Sequence, residues 1–285
     1  MQTTRPRRSV LYMPGSNARA LEKARGIAAD ALILDLEDAV APDAKDVARS
    51  QVCEAVAAHG FGKREVIVRV NALSTPWGEA DIAAAIAARP DAILVPKVST
   101  ARDLEQVERR MGGSDSALWA MIETPLAILN IAALAGAGGR LACFVMGTND
   151  LIKELRGQHT PGRANLSAAL GLSVAAARAH GLAAIDGVFN DIQDADGFAR
   201  QCRQARSFGF DGKTLIHPSQ VEPCNTVFAP SAEEVAAARQ VIAAFDLPEN
   251  KGKGAIKLDG RMVELLHAEI ARRTVALAEA IEAMQ

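Results

Sequence analysis

Eight short apolar runs, each followed by a longer alanine-rich helical pattern, constrain this chain more than any other feature. The runs cover residues 10–13, 31–37, 66–70, 92–98, 118–122, 141–147, 183–188 and 213–217. They are nearly continuous in apolar character, as in strands buried on both faces of a parallel sheet. Helical periodicity runs through 18–29, 76–88, 102–111, 125–135 and 166–180, and resumes from Asp191 through Ser207. Pro76 and Pro125 stand where helices begin, a position that tolerates the missing N–H. Eight strand–helix units over about two hundred residues predict an α/β fold, the (β/α)8 TIM barrel. A doubly wound sheet is the rival. Its nucleotide-binding form carries GxGxxG between a strand and a helix. The glycine cluster at 136–139 instead closes a helix and precedes a strand.

The barrel is complete by about residue 220, which divides the chain into a barrel, 1–220, and a C-terminal helical extension and lid, 221–285. Within the extension, 231–245 reads as a helix opened by a Ser-Ala-Glu-Glu capping box. A polar, Lys/Gly-rich loop is expected at 249–259, and a last helix at 261–283. The formal net charge is −2, which offers no basic field for nucleic acid or anionic lipid. No stretch is long and apolar enough to span a bilayer, and the basic start lacks the apolar run of a secretory signal. Cys53, Cys143, Cys202 and Cys224 are scattered and form no CxxC pair. Reduced thiols in a cytoplasmic protein are expected.

A barrel enzyme builds its site at the carboxyl ends of its strands. Here those ends carry Asp35, Glu37 and Asp38; Arg69 and Asn71; Lys97; Glu123; Thr148, Asn149 and Asp150; Asp186; and His217. Convergence of these groups on one mouth is the expectation. Glu123 and Asp150 are the candidate metal ligands. Two carboxylates on neighbouring strands, with no histidine or cysteine beside them, suit an oxygen-seeking cation such as Mg2+. The plainer alternative is that each caps the helix that follows it. Asp35 reads as part of an ion-pair network, and Glu37 as a group that orders metal-bound water. Arg69 either partners these acids or clamps an anionic substrate and a developing enolate. His217 reads as a hydrogen-bonded residue more readily than as a base. No nucleophilic triad is visible: GxSxG is absent around Ser16.

The stretches SVLYMPGSN, LILDLEDAV, VIVRVN, ILVPKV, MIETP, GTNDL, AIDGVFNDI and GFDGKTLIHPSQ occur in order between Ser9 and Gln220, and DGRMVE follows near the carboxyl end. In these stretches the chain resembles the citrate lyase beta-subunit and malyl-CoA lyase family of the HpcH/HpaI aldolase-like superfamily. The resemblance implies Mg2+ on Glu123 and Asp150, Arg69 on the oxo acid and enolate, and coenzyme A near Tyr12, Pro14, Arg19 and Lys97. It implies a carbon–carbon lyase that cleaves a 3-hydroxyacyl-CoA, such as malyl-CoA or citramalyl-CoA, to acetyl-CoA and a 2-oxo acid. A homo-oligomer, a trimer or hexamer of trimers, is the expected assembly.

Relatives in that family carry an aspartate after DGxM, on a lid from the neighbouring subunit. Glu264 stands at that place here. One added methylene shifts a carboxylate by about 1.5 Å, enough to change a rate on the order of 10²-fold. The departure opens one alternative to the lyase, a (3S)-malyl-CoA thioesterase, and the resembled family itself supplies another, a citrate lyase beta subunit acting on a citryl thioester. For the lyase and its alternatives alike, Glu264 is a candidate catalytic group beside Arg69 and Glu37.

Overall fold

A computed structural model describes residues 5–284. Eight parallel strands close into a barrel: β1 (Ser9–Pro14), β2 (Ala31–Asp35), β3 (Glu65–Arg69), β4 (Ala92–Val95), β5 (Ala117–Ile122), β6 (Leu141–Met146), β7 (Ala183–Asp186) and β8 (Gly212–Leu215). Each pairs with the next, and β8 returns to β1 with Thr214 opposite Val10. All eight expected runs are strands, and the chain is a (β/α)8 barrel.

Alternation along the strands separates two apolar layers. Val10, Ile33, Ile67, Leu94, Trp119, Met121, Val145 and Ile185 fill the barrel. Leu11, Leu32, Leu34, Val68, Ile93 and Phe144 face the surrounding helices. Within the barrel, Glu65 is bound by Arg7 through two hydrogen bonds of 2.6 and 2.8 Å. The same guanidinium stacks 5.2 Å from the centre of the Trp119 ring. One end of the barrel is thereby plugged, and the open end is the one where the strands finish.

Several strands stop short of the expected bounds, and β2 shows why. The Asp35 carboxylate accepts the N–H groups of Glu37 and Ala39, at 2.9 and 3.1 Å, and so turns the chain out of the sheet. The expected helix at 125–135 is two helices, Pro125–Leu129 and Ile131–Ala135. They meet at Asn130, whose amide donates to Ser99 O at 3.0 Å. Two further helices cover the barrel. Lys45–Ala57 buries Ala48, Val52 and Val56 at four-residue spacing. Val221–Phe228 buries Val221, Cys224 and Phe228, and belongs to the barrel unit, Arg7–Phe228. The expected division at 220 therefore lies eight residues before the end of that unit (228 − 220 = 8). All four cysteines are free thiols.

The second unit, taken by itself, differs more from expectation. Helix Ala232–Asp246 starts at the predicted capping box of Ser231 and Glu234. The segment read as loop and helix start is a hairpin, β9 (Ala255–Leu258) and β10 (Arg261–Glu264), followed by helix Leu265–Met284. Asp259 and Gly260, at φ 47° and 79°, form its two-residue turn. Asp-Gly with φ positive at both positions is the turn whose twist matches paired strands. Ile256 packs with Phe245 and Ala268 as a small apolar core. Among the described residues, no helix is long and apolar enough to cross a membrane.

Candidate active site

The carboxyl ends of β1, β2, β3, β5, β6, β7 and β8 surround a cavity of about 320 Å3, with Tyr12, Asp35, Arg69, Met121, Asn149 and Asp150 in its wall. Strand register sets its first pair: Pro14 stands opposite Asp35, and Asp35 opposite Arg69. Asp35 and Arg69 are both buried. Arg69 Nε and Nη2 donate to the two oxygens of Asp35, each at 2.6 Å. Nη1 lies 2.8 Å from Glu37 Oε2 as an ion pair without hydrogen-bond alignment, and makes a weak 3.7 Å contact with Met121 Sδ. The guanidinium stacks 4.8 Å from the Tyr12 ring centre. Burial pushes the Glu37 carboxyl up to about 8, against the pull of Arg69 and with the aid of Asp38 and Glu123. Burial likewise raises the Tyr12 hydroxyl.

Glu123 follows β5 and is fully buried. It does not cap the next helix; Thr124 does, accepting the N–H of Ala127 at 3.0 Å. Glu123 Oε1 accepts the backbone N–H of Lys97 at 2.7 Å, while Oε2 is buried without a hydrogen-bond partner. Lys97 reaches this position in the left-handed region, at φ 57°. Gly147 makes the room: a Cβ there would lie 2.5 Å from Glu123 Oε2. Asp150 sits in the first turn of helix Thr148–Glu154 and makes no capping bond. Lys97 Nζ lies between the two acids, 2.8 Å from Asp150 Oδ2 and 3.4 Å from Glu123 Oε1. Burial raises the Glu123 carboxyl, opposed by the charge and N–H of Lys97.

This donor set suits magnesium. One ammonium lies against Glu123 Oε1 and Asp150 Oδ2, so a cation position already exists between the two carboxylates, and the buried Oε2 of Glu123 adds an oxygen that no donor satisfies. Among the described residues there is no group of three or more His, Cys, Asp or Glu able to hold a metal. A cation that keeps several waters and takes one or two carboxylates plus substrate oxygens fits such a pair.

Other expected mouth residues turn elsewhere. Asp186 faces the helical layer, where it binds Lys213 Nζ and Arg163 Nη1, each at 2.7 Å, with Lys213 fully buried. Asn71 turns toward Lys45 and Asp81. The Lys45 ammonium also caps the carbonyls of Leu36 and Glu37 at 2.8 and 2.7 Å, so it fixes the backbone that carries Glu37. Sequence reading missed Lys45 and Lys213. Each is a lysine inside an apolar pattern near an acid, and that was the available signal. His217 is exposed and uses Nδ1 to accept the N–H of Ser219 at 3.2 Å, a cap at the helix start. Pro14 ends β1 beside Asp35, and Arg19 is exposed on helix Ala18–Ala24. Glu264 is exposed at the end of β10 in the second unit. Its backbone N–H donates to His267 Nδ1 at 3.0 Å.

A parallel eight-stranded barrel with buried carboxylates and an arginine at its mouth defines a barrel enzyme of the acid-lined, oxygen-donor kind. A profile of the HpcH/HpaI aldolase/citrate lyase family matches residues 8–218, and the chain belongs to that family. A (3S)-malyl-CoA thioesterase of Cereibacter sphaeroides is 52% identical over 280 residues, 98% of this chain and 97% of the relative. Citrate lyase subunit beta of Escherichia coli is 35% identical over 285 residues, 97% and 94% of the two chains. A crystal structure of CitE from Mycobacterium tuberculosis, in complex with magnesium, acetoacetate and coenzyme A, superposes with a TM-score of 0.75 at 30% identity. It covers 96% of this chain and 99% of that one.

Proposed function

We propose that this chain is a magnesium-dependent enzyme that hydrolyses a malyl-CoA-type thioester to the free hydroxy acid and coenzyme A. The observation that carries the reading is the pair Glu123 and Asp150, held around one cation position at the cavity that Arg69 lines. The thioesterase relative, matching along nearly the whole chain, favours hydrolysis over the lyase expected first.

In this reading Glu123 and Asp150 would hold magnesium, and the ion would supply Lewis-acid polarisation of the substrate. The chain's own groups do the rest. Asp35 fixes the plane of Arg69 through both oxygens, and Tyr12 fixes its face. Arg69 has five N–H groups; three are hydrogen-bonded, which leaves one on Nη2 and one on Nη1 beside Glu37, and the Met121 contact is weak enough to exchange. These donors receive an anionic oxygen as charge develops on the thioester carbonyl. Glu37, held protonated more readily than an ordinary carboxylic acid, is positioned to orient water or move a proton beside Arg69. Arg19, exposed on the helix after β1, and Tyr12 and Pro14 at the end of that strand are the proposed coenzyme A contacts.

Carbon–carbon cleavage to acetyl-CoA and a 2-oxo acid is the second reading. It is favoured by the same arginine, because an acetyl enolate needs a fixed cation. One assay separates the two. Purified chain with magnesium and malyl-CoA should release thiol and malate in equal amounts. Acetyl-CoA and glyoxylate in place of thiol and malate would establish the lyase, and no turnover on this or citramalyl-CoA would defeat both.

A further inference from the structure

We propose that Lys97 is a built-in counter-ion of the metal position: its ammonium bridges Glu123 and Asp150 in the metal-free chain and withdraws when a divalent cation enters. This inference rests on the reading of those two residues as the magnesium ligands.

The geometry leads there. Glu123 is fully buried, and a buried carboxylate needs a cation or donors close by. Asp150 adds a second negative charge at the same spot. Lys97 Nζ contacts both, at 3.4 and 2.8 Å. Lys153 has an exposed ammonium 3.9 Å from Asp150 and equally far from Glu154, and forms no ion pair with Glu123. One ammonium leaves the pair short by one charge, whereas a divalent ion matches it. Both cations would serve the same two carboxylates, and an ion that draws carboxylate oxygens to about 2.0–2.1 Å would leave no room between them for the ammonium.

Lys97 is built to leave. Its backbone and its side chain are held differently. The N–H is fixed on Glu123 Oε1 at 2.7 Å, so the residue stays in place when the ammonium moves. The side chain is 37% exposed, and its four-carbon stem can swing to water without disturbing the core. The backbone at φ 57° is a conformation few non-glycine residues adopt. A glycine would hold it with less strain, yet a lysine stands here. The ammonium is the feature a glycine would lack.

The experiment is calorimetric titration of magnesium chloride into the wild-type chain and into Lys97→Met, without substrate. Removing a competing cation should tighten magnesium binding about two- to fivefold, the scale of a partly exposed ion pair. A role in shaping the site would do the reverse, because loss of a support weakens binding. Lys97→Gly suits φ 57° and removes the same ammonium, so it serves if the methionine chain folds poorly. In parallel, magnesium should speed acetic anhydride labelling of Lys97 in the wild type severalfold, read by mass spectrometry. Equal or weaker binding in both variants, or labelling that magnesium leaves unchanged or slows, overturns the counter-ion. A wild-type chain that takes up no magnesium overturns the metal reading itself, and the counter-ion with it.

Discussion

Arg69 meets Asp35 edge to edge: two parallel bonds of 2.6 Å join Nε and Nη2 to the two carboxylate oxygens, inside a barrel that leaves both residues buried. A lysine cannot reproduce that fork. Arg69→Lys should therefore lower kcat on the order of 10²-fold or more, the scale of losing a positioned donor to a developing oxyanion. It should also destabilise the fold by roughly 1–3 kcal/mol, because one buried Asp35 oxygen loses a charge-assisted bond and keeps only its backbone donor. Steady-state kinetics and urea unfolding read the two effects separately. Turnover close to wild type would make Arg69 a purely structural partner of Asp35.

Glu123→Ala and Asp150→Ala should each abolish magnesium-dependent turnover and the rise in Tm that magnesium gives, while the circular dichroism spectrum stays that of the barrel. The reason is that neither acid caps its helix: Thr124 performs that task for the first, and Asp150 makes no capping bond. Either variant keeping full activity in the presence of a chelator would remove the metal from the mechanism.

Gly147 supplies a steric test of the same site. An added methyl would fall 2.5 Å from Glu123 Oε2, whereas one at Gly113 meets nothing within 4 Å. Gly147→Ala should weaken magnesium binding at least about tenfold and destabilise by roughly 1–3 kcal/mol through overpacking. Gly113→Ala should change neither. Equal behaviour of the two variants in calorimetry would show that Glu123 can move aside.

Glu37 gives a pH dependence. Its folded carboxyl titrates at about 8, above its ordinary range, with burial as the main cause. The native chain therefore holds a proton that the unfolded chain releases. The associated stability is present below the ordinary carboxylate range and is lost as pH rises toward about 8. A divalent cation beside the cluster favours the ionised form and restores part of that stability. The gain in Tm on adding magnesium should thus be larger at pH 8 than at pH 6, and the difference should shrink in Glu37→Gln. A gain independent of pH in the wild type would count against a buried, proton-holding Glu37.

Much of this was legible in the sequence because barrel strands are written as continuous apolar runs, and a polar group at a run's end stands out. Glu123, Asp150 and Arg69 were visible in that way. Direction was not visible. Asp186 ends its strand on the helix-facing side, since Ala184 faces that layer two residues earlier. Strict alternation from Ala184 would have placed it there. Lys213 and Lys45 were hidden because a lysine within an apolar pattern reads as solvated unless its acid partner is known from the fold. The hairpin around Asp259 and Gly260 was missed for a different reason. Its turn signal was present, but four-residue strands beside a helix-forming stretch left the periodicity ambiguous.

Glu264 provides the last test. It sits exposed at the end of β10, with Met262 on the same hairpin strand 75% exposed. The proposal is that it serves the barrel mouth of a second copy of the chain, donating or accepting a proton there. Glu264→Gln should then be inactive yet bind magnesium with wild-type affinity, since Glu123 and Asp150 are untouched. Mixing it with an inactive Glu123→Ala chain, under conditions where subunits exchange, should restore activity. Random assembly pairs an intact mouth with an intact carboxylate at about a quarter of the sites in a closed ring. Recovery near that fraction supports action between copies. Exchange verified by mass spectrometry without recovery excludes it, and an active Glu264→Gln chain removes the residue from catalysis.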